Sequence, residues 1–410
     1  MSVSKNILNI LLFDLYQGGH HVQYIELLGR YWLQRELPGR LDVVVHGAVA
    51  ASDPRLHQLS SDSGGTIRVH GLYPRTDLEA ERPFRPARND LEHGRLLRHA
   101  VTSLAPDHCL CMYFDHIQLS LARGLRLRRD VSVSGIYFRP TFHYPKLNPK
   151  APTWQQLAKG ALKRSLLGLA MRHPSFKYLF SLDPYVIDHL PRHRTDVVAV
   201  ALPDGVPAIS MHGHGIDVRA KWGLAVDRKL AVLFGVLDER KGIRQVLKSG
   251  FHLPEDVQAN LAILFAGPVR GKLDWLAPLI EKLEQETRIR IILDDRFLQH
   301  DEAAALLAAS DIVLVPYQKH VGSSNVLIRA AQAQRPVIGQ DFGLMGAEIR
   351  RWKLGLAVDT QSPAAIADAI TRIMRAREAV PFDRNSASGY AASHTGEAYA
   401  RTVFDHLYST

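Results

Sequence analysis

Short runs of Ile, Val, Leu and Phe alternate along this chain with longer stretches whose apolar residues recur every three or four positions. The runs predict strands at 7–13, 41–46, 108–114, 131–138, 178–182 and 197–202, and again at 229–236, 261–266, 289–293, 312–317, 336–339 and 354–358. The longer stretches predict helices at 21–33, 154–171, 243–249, 277–286, 302–309, 324–334 and 363–375. Strands that are apolar throughout need cover on both faces, so strands separated by helices imply parallel sheets with helices on either side. The pattern restarts near residue 229, after a polar, Gly- and Pro-bearing stretch at 203–223. The expected organisation is α/β: a Rossmann-like domain over 1–202, a second over 203–385, and a tail over 386–410. The tail carries a helix at 396–408 with Ala400, Val403, Phe404 and Leu407 on one face, expected to pack back on the first domain. Ligands of such folds lie outside the carboxyl ends of the strands, here in a central cleft.

Composition narrows this little. Of 410 residues 46% are hydrophobic and 22% charged, as in globular chains. The formal charge of +10 favours anionic partners such as nucleotides, phospholipids, nucleic acid or acidic sugars. The two cysteines, Cys109 and Cys111, are too close for an easy disulfide or zinc site and read as core residues of a protein in a reducing compartment. The apolar run at the N-terminus ends at Asp14, too short for a signal peptide or a span. A cytoplasmic location is expected, with at most peripheral contact on the inner face of an anionic membrane. The basic amphipathic segment KGALKRSLLGLAMR, 159–172, offers such contact, but packing of its Leu face inward is the reading taken.

The chemistry sits at strand ends. In 311–348 an apolar strand leads to a polar loop, a helix opening at Ser323-Ser324-Asn325, a second strand, and a loop with Gly343 and Glu348. Unpaired N–H groups and the positive end of the dipole make a helix start attractive to phosphate. Three polar residues in a row exceed what capping needs, while Glu348 could hold sugar hydroxyls or stand on a surface loop. In LFGVLDERKGIRQVL, Gly235 ends a strand and Arg240-Lys241 precede a helix, where two cations are disfavoured unless an anion joins them. This is a phosphate clamp on an exposed loop, or a solvated charge cluster. Gly18-Gly19 follow the first strand and either admit a ligand to the backbone or make a tight turn. Asp115 and His116 end one strand, and Arg139, His143 and Tyr144 end the next, where acceptor-side groups are expected. No metal-ligand cluster is evident.

In order and spacing these motifs resemble the glycosyltransferases of the GT-B fold, most closely the family 4 group of nucleotide-sugar-dependent enzymes. The resemblance is firmest from Leu230 to Val358. LFGVLDERKGIRQVL looks like the donor-phosphate segment, with Lys241 at the family lysine. DDRFLQHDEAAALLAASDIVLVPY looks like the nucleobase-proximal segment, which adds Arg296 to the donor residues. VLIRAAQAQRPVIGQ and DFGLMGAEI look like the donor helix, strand and Gly-rich loop. The resemblance implies transfer of a hexosyl-type sugar from a nucleotide-diphosphate sugar to an acceptor hydroxyl, with retention and without metal or other cofactor. It places the donor on Gly18, Gly19, Gly235, Arg240, Lys241, Arg296, Ser323, Ser324, Asn325, Arg329 and Glu348. The catalytic, acceptor-side role falls to Asp115, His116, Arg139 and His143, with His116 and His143 the candidates for the family's catalytic-side histidine, and nucleic acid is not expected as a partner. Two departures stand out. Val321 and Arg329 occupy the places of the family's paired glutamates, and Val236 that of an arginine whose charge Arg240 could supply. They keep open a non-catalytic nucleotide-sugar or glycan-binding protein, and a sugar-nucleotide epimerase or hydrolase.

Overall fold

The computed structural model describes residues 7–17, 21–74, 86–191, 196–208, 217–375 and 380–409. Chain contacts divide it into two compact units. The first holds residues 1–143, 152–205 and 396–410, and the second 144–151 and 206–395.

In the first unit the described strands are β1 (Leu8–Asp14), β2 (Gly39–His46), β3 (Ile67–Leu72), β4 (His108–Cys111), β5 (Ser132–Tyr137), β6 (Phe176–Ser181) and β7 (Val198–Ala201). They form one parallel sheet in the order β3-β2-β1-β4-β5-β6-β7. Apolar side chains fill both faces. Ile10, Leu12, Val43 and Leu110 belong to one core, and Leu11, Val44, Cys109 and Cys111 to the other. Both cysteines are free and buried. Among the strands, β3 lay outside expectation. It is an edge strand whose Arg68 and His70 interrupt the apolar run, so only Ile67 of it is fully buried. The predicted strand at 108–114 stops at Cys111, because Phe114–His116 turns into a single helical turn.

The second unit repeats the plan with β8 (Lys229–Phe234), β9 (Leu261–Ala266), β10 (Arg290–Asp294), β11 (Ile312–Val315), β12 (Val337–Gln340) and β13 (Gly355–Val358). The sheet is parallel in the order β10-β9-β8-β11-β12-β13. In both sheets the order reverses beside the first strand, between β1 and β4 and between β8 and β11. These are topological switch points, where the loops at the strand ends part and leave room for a ligand.

The unit boundaries differ from 202/203 and 385/386 in two ways. Residues 144–151, expected with the first domain, belong to the second unit. The helix Arg384–Ser393 also belongs there, because Ala387 and Tyr390 pack with Val326, Ile328 and Ala331 of the helix Asn325–Gln332. The helix Gly396–Leu407 is part of the first unit. Val403, Phe404 and Leu407 lie in its core against Leu28 and Trp32. Fully burying each of these side chains contributes up to about 1.5–3 kcal/mol, enough to tie the chain end firmly.

The basic segment is a correction. The helix Trp154–Ala170 buries Leu167, Gly168 and Ala170, but Trp154, Leu157, Leu162 and Leu169 remain exposed. Its Leu residues do not all turn inward.

Candidate functional sites at the two switch points

In the second unit β8 ends at Phe234, and the chain reaches a single turn, Glu239–Lys241, through Gly235. Gly242 then takes a left-handed φ of 75° and starts the helix Ile243–Gly250. A Cβ at Gly242 would lie 2.1 Å from the Pro316 carbonyl oxygen, so only glycine lets this turn approach the end of β11 so closely. The tight turn folds Lys241 inward, leaving it 7% exposed rather than on an open loop. Its Nζ donates to the Phe234 carbonyl at 3.1 Å and to the Tyr317 hydroxyl at 2.7 Å, and lies over the Tyr317 ring. Among the described residues no carboxylate lies within ion-pair range of this ammonium. Burial pushes the Tyr317 phenol up, but the Lys241 charge and hydrogen bond, with help from Ser324 and Arg240, outweigh it and hold the phenol below its ordinary value.

Ser324 stands at the N-cap of the helix Asn325–Gln332 without a side-chain capping bond. Its hydroxyl turns instead to Tyr317, 3.4 Å away. Lys241, Tyr317, Ser324 and the start of this helix therefore form one continuous positive corner. Asn325 is the helix's first residue, and the Ser323 carbonyl oxygen lies 3.1 Å from His320 Nε2. Gly235 keeps this corner open, since a Cβ there would lie 3.1 Å from Lys241 Nζ.

Not every expected donor residue lies in that corner. Arg240 is exposed and pairs with Asp238 at 3.2 Å. Arg296 bridges Glu302 and Asp294 at 2.6 and 2.9 Å. The bond from Arg296 pulls the Glu302 carboxyl down to about 2, and the same Glu302 closes a capping box on the helix His300–Ala309. Arg296 is thus engaged in an internal ion-pair network. Glu348 is not on a surface loop. It lies buried inside the helix Gly343–Arg351, whose first turns are the Gly-rich segment. Arg329 is half-buried with its guanidinium 3.5 Å from His300, no carboxylate among the described residues reaches it, and burial holds it below its ordinary value. Gly18 and Gly19 lie outside the described residues.

Two groups that the sequence did not assign to this site cross it. Tyr144, noted beforehand only as a strand end of the first domain, accepts the Gly322 N–H on its hydroxyl at 3.1 Å. Asn148 Oδ1 accepts the Gly343 N–H at 2.7 Å. Lys150 reaches Asp359 at 2.6 Å and Arg350 donates to the Leu147 carbonyl. Residues 144–151 thus form a strap across the ends of β11, β12 and β13. Hydrogen bonds between residues 178 and 195 positions apart leave no local signal in a sequence.

The switch point of the first unit is built differently. Asp14, the last residue of β1, is buried and lies 2.6 Å from Nδ1 of His21, which opens the helix His21–Gln34. The other Asp14 oxygen accepts the Tyr16 N–H. His21 stacks on Phe138 and meets Tyr16 and Tyr113 at ring separations of 4.6 and 5.0 Å. His116 packs on Tyr113 and His93. Burial, reinforced by His93, pulls the His116 imidazole down to about 3, so it is neutral at ordinary pH. A small cavity lined by Asp14, His93, Cys111, Tyr113 and His116 opens here. Asp14 and His21 escaped the sequence reading; a carboxylate ending the first strand and a histidine opening the next helix were the available signal.

Of the other acceptor-side candidates, Asp115 accepts the N–H groups of Phe138 and Arg139 and so braces the end of β4 to that of β5. Burial pushes its carboxyl up to about 6 against those bonds and the Arg139 charge. Arg139 is exposed. His143 is interior, 3.0 Å from Asp183, with both side chains sealed from solvent. The structure therefore groups Asp115, His116 and Arg139 around the switch point and sets His143 in a buried pair. Among the described residues no group of three or more His, Cys, Asp or Glu is placed to hold a metal ion.

Comparison with known proteins agrees with this fold. Residues 216–389 match the family described as Glycosyl transferases group 1. D-inositol 3-phosphate glycosyltransferase of Corynebacterium glutamicum strain R is 29% identical over 194 residues, which cover 44% of this chain and 45% of that protein. The match thus spans about half the length of the curated relative. Sucrose-phosphate synthase from Thermosynechococcus elongatus superposes with a TM-score of 0.66 at 16% identity, over 98% of both chains. Anabaena HepE, solved in complex with UDP, does so with a TM-score of 0.66 at 13% identity, over 98% of this chain and 100% of that one. Two doubly wound units with this strand order define a GT-B protein. Within that fold, the similarity to the glycosyl transferases group 1 family lies over residues 216–389, most of the second unit.

Proposed function

We propose that the protein transfers a sugar from a nucleotide-diphosphate sugar to an acceptor hydroxyl, with retention and without a metal. The observation that carries this reading is Lys241: a buried ammonium that among the described residues is bonded to a carbonyl and a phenol and to no carboxylate, beside Ser324 at a helix start. A buried cation without a counter-ion is costly, and a diphosphate would neutralise it. During transfer, negative charge builds on the leaving diphosphate. A fixed ammonium and oriented amides stabilise that charge more than the ground state, which lowers the barrier. Arg240 adds a second cation once it turns from Asp238. The Asp14–His21 pair and neutral His116 suit the other substrate, since a hydroxyl is oriented by acceptors and neutral rings rather than by cations. The relatives named above support the donor class: one is a glycosyltransferase by name and another was solved with UDP.

A second reading has its own observation. Arg329 and Val321 stand where the family carries glutamates, and a guanidinium cannot accept a bond from a sugar hydroxyl. A non-catalytic binder, or an epimerase or hydrolase, would tolerate that change; a transferase would then take a donor sugar bearing an acid group. Incubation with a panel of neutral and acidic sugar nucleotides, with and without hydroxyl acceptors, separates these. Acceptor-dependent release of nucleoside diphosphate is expected. Binding without release, or release unaffected by any acceptor, would overturn the transferase reading. Arg329→Ala should shift preference from acidic towards neutral donors; an unchanged preference would remove Arg329 from donor recognition.

A further inference from the structure

The helix Trp154–Ala170 is well fastened. Thr153 and Gln156 form a capping box at its start. On its inner side Gly160 approaches Phe142, Lys163 donates to the Thr141 hydroxyl, and Arg164 donates to the carbonyls of His189 and Leu190. Its outer side is the anomaly. Trp154, Ala158 and Leu162 follow one another at four-residue steps, Leu169 continues the same face, and Leu157 borders it. Trp154 is 76% exposed, Leu162 73%, Leu157 52% and Leu169 49%. A fixed helix holding an indole and three isobutyl groups in water forgoes burial that an inward rotation would have gained.

Charge says what covers this face. From residue 131 to 182 the chain contains no Asp or Glu. The part of that stretch in the first unit carries Arg139, Lys159, Lys163, Arg164, Arg172 and Lys177, all exposed. A second copy docking through a two-fold axis would set this patch against itself, cation against cation. Nucleic acid would use the cations and leave the leucines in water. An apolar stripe flanked by cations matches the boundary of an anionic bilayer, where acyl chains take the stripe and headgroup phosphates take the cations.

We propose that this helix is the membrane-docking surface of the protein, lying in the plane of an anionic lipid headgroup layer. Among the described residues no helix is long and apolar enough to cross a membrane; the contact is interfacial. The inference does not rest on the reading of the donor site, and its test needs no activity.

The test is flotation of the full-length protein with vesicles of phosphatidylcholine alone, and with about 30% phosphatidylglycerol added, at low and at high salt. Binding is expected only to the anionic vesicles and should weaken with salt. The double variant Trp154→Ser/Leu162→Ser should lose at least about tenfold in partitioning, because two interfacial anchors are gone. Lys159→Ser/Lys177→Ser should lose about fivefold or more at low salt. Both pairs are largely solvated, so unchanged melting curves confirm the fold. Three results would overturn the proposal: no flotation with anionic vesicles at low salt, wild-type binding by the apolar variant, or a dimer in solution that the apolar variant dissolves.

Discussion

The two switch points of this molecule occupy the same place in the same kind of sheet and are made of opposite chemistry. At β8/β11 a buried ammonium meets a phenol, a hydroxyl and a helix start, with no carboxylate within ion-pair range among the described residues. At β1/β4 a buried carboxylate grips a histidine in a ring of aromatic side chains. The fold therefore supplies the position, and side chains at a few strand ends decide what each position receives. In the function proposed above, the first receives an anion and the second a neutral, hydroxyl-bearing group.

The hardest blow to this contrast is Lys241→Ala. A charge-assisted bond to phosphate contributes about 1.5–3 kcal/mol, so nucleoside diphosphate affinity should fall roughly 10- to 100-fold by calorimetric titration. Because the lysine is buried and bonded to Phe234 and Tyr317, the variant should also melt lower, which a solvated loop cation would not cause. Unchanged affinity in the folded variant would strip the second unit of its anion receptor.

Asp14→Asn probes the other half. Removing the charge that orients His21 should lower turnover with acceptor roughly 10- to 100-fold through misplacement of that ring. Nucleotide affinity should stay where it was, since Asp14 belongs to the first unit. An equal loss in both measurements would mean that the two sites are not chemically separate.

A smaller change, in the opposite direction, is expected from Tyr144→Phe. Its hydroxyl occupies the Gly322 N–H, a group beside the anion corner. Freeing that donor should raise nucleoside diphosphate affinity about 2- to 10-fold, the range of one ordinary hydrogen bond. A drop would show that the Tyr144 hydroxyl belongs to the receptor rather than competing with its ligand.

The smallest effect concerns pH. The Asp115 carboxyl has a folded value of about 6, against about 4 in an unfolded chain. Between these values the folded state holds a proton that the unfolded state has released, so Asp115 contributes stability at the acid end that is lost as pH rises towards 6. Urea midpoints of the wild type, relative to Asp115→Asn, should therefore fall between about pH 4 and pH 6 and level off above. A flat difference would mean that burial does not set the Asp115 carboxyl. His116 lies at about 3, and its ring resonances should not titrate between about pH 5 and 8.

The strands of both sheets, apart from β3, and most of the long helices were legible because each buries its residues in a regular local pattern; the helix Pro86–Leu104, which buries Leu96, Leu97, Ala100 and Val101, was missed. Alternation of strand and helix, read with Gly235, Gly242 and Ser324 at strand and helix ends, was enough to anticipate two parallel sheets. The helix Arg384–Ser393 was not legible, since RNSASGYAAS has no apolar face of its own until Tyr390 finds the helix Asn325–Gln332. Nor was the placement of Lys241, which reads as a solvated loop cation until Gly242 turns it beneath Pro316 and Tyr317. Tyr144 and Asn148 belong to the second unit only because the chain joins it early, for residues 144–151, and Asp14 pairs with His21 seven positions further on. The outward face of the helix Trp154–Ala170 was ambiguous in the same way, because amphipathicity states that a helix has two faces and not which one the core takes. Periodicity is a property of neighbours along the chain and was settled by the sequence. Burial of a charge, the pairing of distant residues and the choice of which face to hide depend on contacts across the fold, and only the tertiary structure decided them.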